Sequence, residues 1–135
     1  MLKLIIGVKG TGKTKQLIEM VNTASAQSNG SVVCIEKGTK LTYDIKHTAR
    51  LIDTDQYGIC DGQSLFGFIA GIAASNHDVT DIYIDSALKI CENDLDSFDK
   101  FITEVSTLVE KYGINCTATV SLAAEKATDT IKKYL

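Results

Sequence analysis

Apolar residues follow two rhythms along the chain. Leu2, Leu4, Ile5 and Ile6 form a nearly continuous run that stops at Gly7, the pattern of a strand covered on both faces. From Lys13 to about Ala26 the spacing changes to threes and fours. Leu17, Ile18, Val21 and Ala24 share one face and Asn29-Gly30 follows, which predicts a helix. Val32 to Ile35 is a second buried run, closed by Glu36-Lys37-Gly38. Strand, helix, strand is a crossover unit and predicts parallel pairing.

The stretch from Thr39 to Asp61 is polar, with aspartates at 44, 53, 55 and 61, and holds two short extended pieces, Leu41 to Ile45 and Ala49 to Ile52. Gln63 to Asn76 is helical in pattern, and its Gly67 and Gly71 predict close packing of that helix against the sheet. Ile82, Tyr83 and Ile84 predict a third strand ending at Asp85. The strongest helical period runs from Asp94 to Tyr112, capped by Asn93 or Asp94 and ended by Gly113. Ile114 to Leu122 predicts a fourth strand, and Thr128 to Tyr134 a last short helix with Ile131 inward. The sum is an α/β three-layer sandwich with a mainly parallel sheet of four to five strands, in one domain spanning residues 1–135.

Composition narrows the classes. The chain has 135 residues, 44% hydrophobic and 23% charged, which is ordinary globular material. Its longest apolar stretch, Leu65 to Ala74, is too short to cross a membrane, and the amino terminus has no signal-peptide pattern, so the expected location is cytoplasmic. Cysteines 34, 60, 91 and 116 lie too far apart for a local zinc or redox motif and predict free thiols. The net charge of −3 hides a split: residues 1–50 carry eight basic and three acidic side chains, the remainder six and fourteen. That is no basic domain for nucleic acid. Arg50 is the only arginine, so a site that clamps several phosphates with guanidinium forks is excluded.

Candidate chemistry concentrates in residues 7 to 14, GVKGTGKT, a full match to G-x-x-x-x-G-K-[ST]. The match begins where a strand ends and finishes where a helix starts, the context in which such a loop wraps phosphate. Gly7, Val8, Lys9, Gly10, Thr11, Gly12, Lys13, Thr14 and Lys15 are the expected nucleotide contacts. Glycines permit the tight turn, Lys13 places an ammonium beside the terminal phosphates, and Thr14 offers its hydroxyl to magnesium. A partner carboxylate is expected at a neighbouring strand end. Asp85 is the first candidate and Asp53 the alternative. The residue after Asp85 is Ser86 rather than a glutamate that would orient water; Glu36, at the end of the second strand, is the substitute, with strand capping or pairing to Lys37 or Lys40 as its plainer reading. Thr119 and Ser121 are candidate sensors of the terminal phosphate. His47 and His77 have no neighbouring ligand set.

On the loop and Asp85 the sequence resembles the P-loop NTPase superfamily. Through IIGVKGTGKT, VVCIEKG, YDI with ARLID after it, and IYIDSALKI, it is similar to a family of small clostridial P-loop ATP-binding proteins, sometimes labelled twitching-motility proteins. A hexameric motor would carry a further domain and several arginines, which this chain lacks. The superfamily implies ATP and magnesium (Mg2+) as ligands. A RecA-like sheet would insert the fourth strand between the phosphate-loop strand and the Asp85 strand, giving order 1-4-3-2. An extra strand between the second and the Asp85 strand would come from Leu41 to Ile52. The alternative, as in nucleotide kinases and GTPases, sets the Asp85 strand beside the first. The RecA-like order leaves the phosphate-loop strand at an edge, which a homodimer would cover. The resulting expectation is a slow or partner-activated ATPase or nucleotide-dependent switch. Arg50 would be supplied across an interface, from a second copy or with the help of another protein. Two further readings stay open: a small-molecule or nucleotide kinase, and an interaction protein that binds nucleotide weakly.

Overall fold

The computed structural model describes all 135 residues. Five parallel strands form one sheet: β1 (Leu2–Gly7), β2 (Ser31–Glu36), β3 (Arg50–Asp53), β4 (Val79–Ile84) and β5 (Asn115–Ser121). Their order is β1-β5-β4-β2-β3, so the first strand pairs with the last and the sequence-based order 1-4-3-2 holds. The extra strand does come from the 41–52 region, but it lies outside β2 at the sheet edge. Only Arg50–Asp53 is extended; Leu41 to Ile45, expected as a strand piece, is a run of turns. Those turns bury Leu41, Ile45 and Ala49 against α1 (Lys13–Gln27), whose Leu17 and Val21 are fully buried. An isolated extended piece there would have had no ladder partner for its N–H groups.

The opposite sheet face carries α2 (Gly62–Ser75) and α4 (Leu95–Tyr112), with α5 (Asp129–Lys132) beside them. Phe98, Ile102, Val105 and Val109 on α4 are buried at the threes and fours that the sequence shows, against Ile82, Ile84, Ala118 and Val120. Truncating a side chain such as Phe98 to alanine would cost about 3–5 kcal/mol. The cap of α4 is Asp94, whose carboxylate accepts from the N–H groups of Asp96 and Ser97. In α2 the small-residue expectation fails: a Cβ at Gly67 or Gly71 would meet nothing within 4 Å. The close approach is at Gly62, where a Cβ would lie 2.5 Å from the Ser97 carbonyl oxygen, because α2 packs its first turn on α4. At the β1 edge the Leu4 N–H donates to the Tyr134 carbonyl at 2.8 Å, so the carboxyl-terminal tail covers part of an edge expected to be open.

One short helix, α3 (Ala87–Ile90), has no counterpart in the periodicity reading. It follows β4 directly through Ser86, which adopts φ 55° and ψ 49°. Left-handed backbone at a non-glycine residue costs about 1–2 kcal/mol. The chain has three such residues, Ser86, Glu92 and Asn93, and all flank α3.

Candidate functional site

Parallel pairing places every strand's carboxyl end on one edge, and the candidate chemistry gathers there. Between β1 and α1 the loop turns through Gly10 at φ 87° and Gly12 at φ 85°, conformations that side chains strain to adopt. Gly7 is constrained by space instead, since a Cβ would sit 2.7 Å from Thr11 Oγ1. Gly12 caps α1 with no side-chain acceptor, so the N–H groups of the first turn remain available to an anion. Lys13 is only 8% exposed. Its ammonium folds across the loop, donating to the Val8 carbonyl at 2.9 Å and to Thr11 Oγ1 at 3.4 Å.

Beyond the loop, Asp85 sits where β4 ends, and its N–H donates to the Ile35 carbonyl at 2.8 Å. Hydroxyls from three elements hold its carboxylate. Thr14 Oγ1 on α1 donates to Oδ1 at 3.1 Å, Thr119 Oγ1 on β5 donates to Oδ1 at 2.8 Å, and Ser86 Oγ donates to Oδ2 at 3.4 Å. Thr119 Oγ1 also accepts from the Ser86 N–H at 2.7 Å, which anchors the left-handed turn into α3. Thr14 and Asp85 are thus brought together across 71 residues as two hard oxygen donors, the set suited to magnesium. No group of three or more His, Cys, Asp or Glu side chains forms a metal site anywhere in the chain. An ion at Thr14 and Asp85 would take its remaining ligands from phosphate oxygens and water.

These residues wall a cavity of about 420 Å³. Its lining is Lys9, Gly10, Gly12, Lys13, Thr14 and Lys15 from the loop and the first turn of α1, Asp85, Ser86 and Ser121 from the ends of β4 and β5, and Lys40, Leu41, Lys89 and Asn93 from the segments that follow β2 and β4. Sequence reasoning missed Lys40, Lys89 and Asn93. A signal was present: Lys40 and Lys89 each lie four residues beyond a strand-end carboxylate, Glu36 and Asp85.

No family model matches the chain, and no curated protein matches it. Among solved structures the chain is similar to the pCW3 conjugation coupling protein TcpA in its monomer form with ATPγS. The TM-score is 0.58 at 15% identity, covering 98% of this chain and 46% of that one. The shared fold is a three-layer α/β sandwich with a parallel sheet. This chain spans less than half the length of that structure, and the likeness is one of fold. No family model and no curated relative supports the narrower clostridial family resemblance.

Within this fold the remaining sequence candidates lie apart from the Gly7–Thr14 loop. Glu36 is 3% exposed, and its Oε2 accepts from the Leu41 N–H at 3.0 Å. Burial raises its pKa above the ordinary 4.5, with the charges of Asp85 and Asp53 adding to the rise and backbone hydrogen bonds from Leu41 and Lys40 opposing it. It does not line the P-loop cavity; Leu41 stands between. Asp53, in register with Glu36, accepts from the N–H groups of Gly38 at 2.8 Å and Asp55 at 2.9 Å, two strands from Asp85. Arg50 lies on the far edge strand, separated from β1 by four strand spacings, about 19 Å. Glu36, Asp53 and Arg50 instead line a second cavity of about 580 Å³ with Lys46, His47 and Tyr57. Lys37, a suggested partner of Glu36, pairs with Asp55 at 2.6 Å.

Proposed function

We propose that the chain binds ATP with magnesium at the phosphate loop and, acting alone, turns it over slowly. The observation that carries this reading is the Thr14–Asp85 hydrogen bond of 3.1 Å beside a loop whose first-turn N–H groups have no side-chain cap and whose Lys13 makes no ion pair. Lys13 would exchange its bond to the Val8 carbonyl for oxygens of the terminal phosphates, and the α1 N-terminus would hold the phosphate between them. Thr14 and Asp85 would hold the magnesium ion, which when bound neutralises charge on the phosphate oxygens. Hydrolysis further needs a group that orients water. Glu36 faces the neighbouring cavity, and Ser86 stands where a glutamate would follow Asp85. Slow turnover follows, and with it the behaviour of a nucleotide-dependent switch or of an ATPase completed by a second protein or a second copy of this chain. The ATPγS-bound state of TcpA supports the nucleotide assignment by analogy of fold.

Titration calorimetry with ATP, with and without magnesium, tests the reading. Saturable binding in the micromolar range supports it, and no heat with no thermal stabilisation at millimolar ATP removes it. Steady-state phosphate release well below one per second is the expected catalytic result, and its dependence on protein concentration reports any self-association.

A second reading, phosphoryl transfer to a small molecule, is favoured by one observation. The second cavity adjoins the first through the Lys40–Leu41 segment and has the buried carboxylate of Glu36 in its wall, where it can accept a hydroxyl proton. ATP consumption that appears only with an added hydroxyl acceptor would select this reading over hydrolysis.

A further inference from the structure

The P-loop cavity carries five lysines, Lys9, Lys13, Lys15, Lys40 and Lys89, against one carboxylate, Asp85. None of the five forms an ion pair; the salt bridges of the chain are Lys37–Asp55 and the amino terminus with Glu110. In a protein of net charge −3 this is a local excess of four positive charges. Three of the lysines, Lys9, Lys13 and Lys15, belong to the segment that follows β1. Lys40 and Lys89 come from other segments. They stand beyond the ends of β2 and β4, while β5 lies between β4 and β1.

The backbone around Lys89 is unusual as well. Asp85 and α3 are joined by Ser86 in left-handed conformation, and α3 is followed by Glu92 and Asn93, also left-handed. The Asn93 N–H reaches back to the Leu88 carbonyl at 2.9 Å, which closes the segment into a compact knot with Lys89 and Asn93 on the cavity wall. Strain held at a ligand wall and nowhere else along the chain marks a segment shaped for contact with the ligand.

We propose that Lys89, assisted by Lys40, supplies from within the same chain the cationic contact to the terminal phosphate that an arginine from a neighbouring subunit would otherwise supply. The inference rests on the reading of the site as an ATP site and deepens it. A phosphate held by Lys13 and the α1 N-terminus would lie in the cavity that Asp85 and Lys89 also line, and Lys89 lies four residues beyond Asp85. Lysine suits the position because its ammonium is a compact point charge on a flexible stem. Arg50, on the far edge of the sheet, is then not needed for charge compensation.

The test uses the full chain and compares ATP with ADP, which lacks the terminal phosphate. Calorimetry on wild type, Lys89→Ala, Lys40→Ala and Lys89→Arg, each checked for an unchanged melting temperature, gives the two affinities. Losing one charge-assisted contact to the terminal phosphate should weaken ATP binding about tenfold in Lys89→Ala. ADP binding should change less than about twofold, Lys89→Arg should restore ATP affinity, and Lys40→Ala should show a smaller loss of the same selectivity. Equal losses for ATP and ADP, or no loss for either, would overturn the proposal while leaving the ATP site standing. A wild type that binds neither nucleotide would remove the ATP site and this proposal together.

Discussion

Two cavities open side by side at the carboxyl edge of the sheet, and the contact between Glu36 and the Leu41 N–H divides them. The larger, about 580 Å³, sits over the edge strand β3, and its charges cancel: Lys46 and Arg50 face Glu36 and Asp53. The smaller, about 420 Å³, is lined by five ammonium groups and one carboxylate. Uncompensated like charges on one wall repel one another and oppose folding, whereas balanced charges are neutral to it. On the proposed function, the smaller cavity carries the charge that a bound polyanion would neutralise, and the larger one does not. Volume is a poor guide to function here, and charge imbalance with a strained backbone is a better one.

The sharpest way to break this contrast is Lys13→Ala. Removing a charge-assisted ligand from the phosphate site should weaken ATP binding by about 2–3 kcal/mol, read by calorimetry. The same substitution in the balanced cavity, Lys46→Ala, should leave ATP affinity within about twofold of wild type. If the two variants behave alike, the cavities do not differ as their charges indicate. Next in size is Asp85→Asn, expected to cost about tenfold in the presence of magnesium and little in its absence, since the lost charge serves the ion. Equal losses under both conditions would mean that Asp85 does not serve the ion.

Two smaller effects probe the wall between the cavities and the thiols. Burial raises the pKa of Glu36, so the folded protein holds that proton more tightly than the unfolded chain. Its contribution to stability is accordingly full below about pH 4.5 and is lost as pH rises through the raised value. Glu36→Gln keeps an oxygen for the Leu41 N–H and removes the buried charge. It should melt slightly higher than wild type at pH 7, with the gap closing below pH 4.5, as followed by circular dichroism. A gap of opposite sign would mean that the Glu36 charge is favourable where it stands. The smallest effect concerns thiol labelling at pH 8. Cys60 is exposed, while Cys34, Cys91 and Cys116 are buried with pKa values pushed up to about 12 by desolvation. One thiol per chain should react, and a second reactive thiol would show that the core opens on the labelling timescale.

Much of this architecture is legible in the residues. Strands β1, β2, β4 and β5 and helices α1, α2 and α4 are written in periods of apolar residues long enough to dominate local alternatives. Leu41 to Ile45 is not, because its alternating apolar residues serve buried turns against α1, and periodicity cannot tell a turn that buries two side chains from a strand that does. The strain at Ser86 leaves no trace in composition; serine there suggests only an end to the strand. Of the candidate site, the loop, Thr14 and Asp85 come together as their motif implies. The cations beyond Glu36 and Asp85 emerge only when the strand order sets the ends of β2 and β4 around one opening.

The pairing of β1 with β5 has a bearing on how the protein is made. Leu2 lies opposite Cys116, so the strand that leads into the phosphate loop finds its ladder partner only after β5 has left the ribosome. Such long-range closure is slow, and a growing chain that already displays GVKGTGKT has neither Thr119 to fix Asp85 nor β5 to join its two halves. On the proposed function, nucleotide capture therefore waits for β5. Retention on immobilised ATP would then separate chains in which β5 has joined β1 from chains truncated before it.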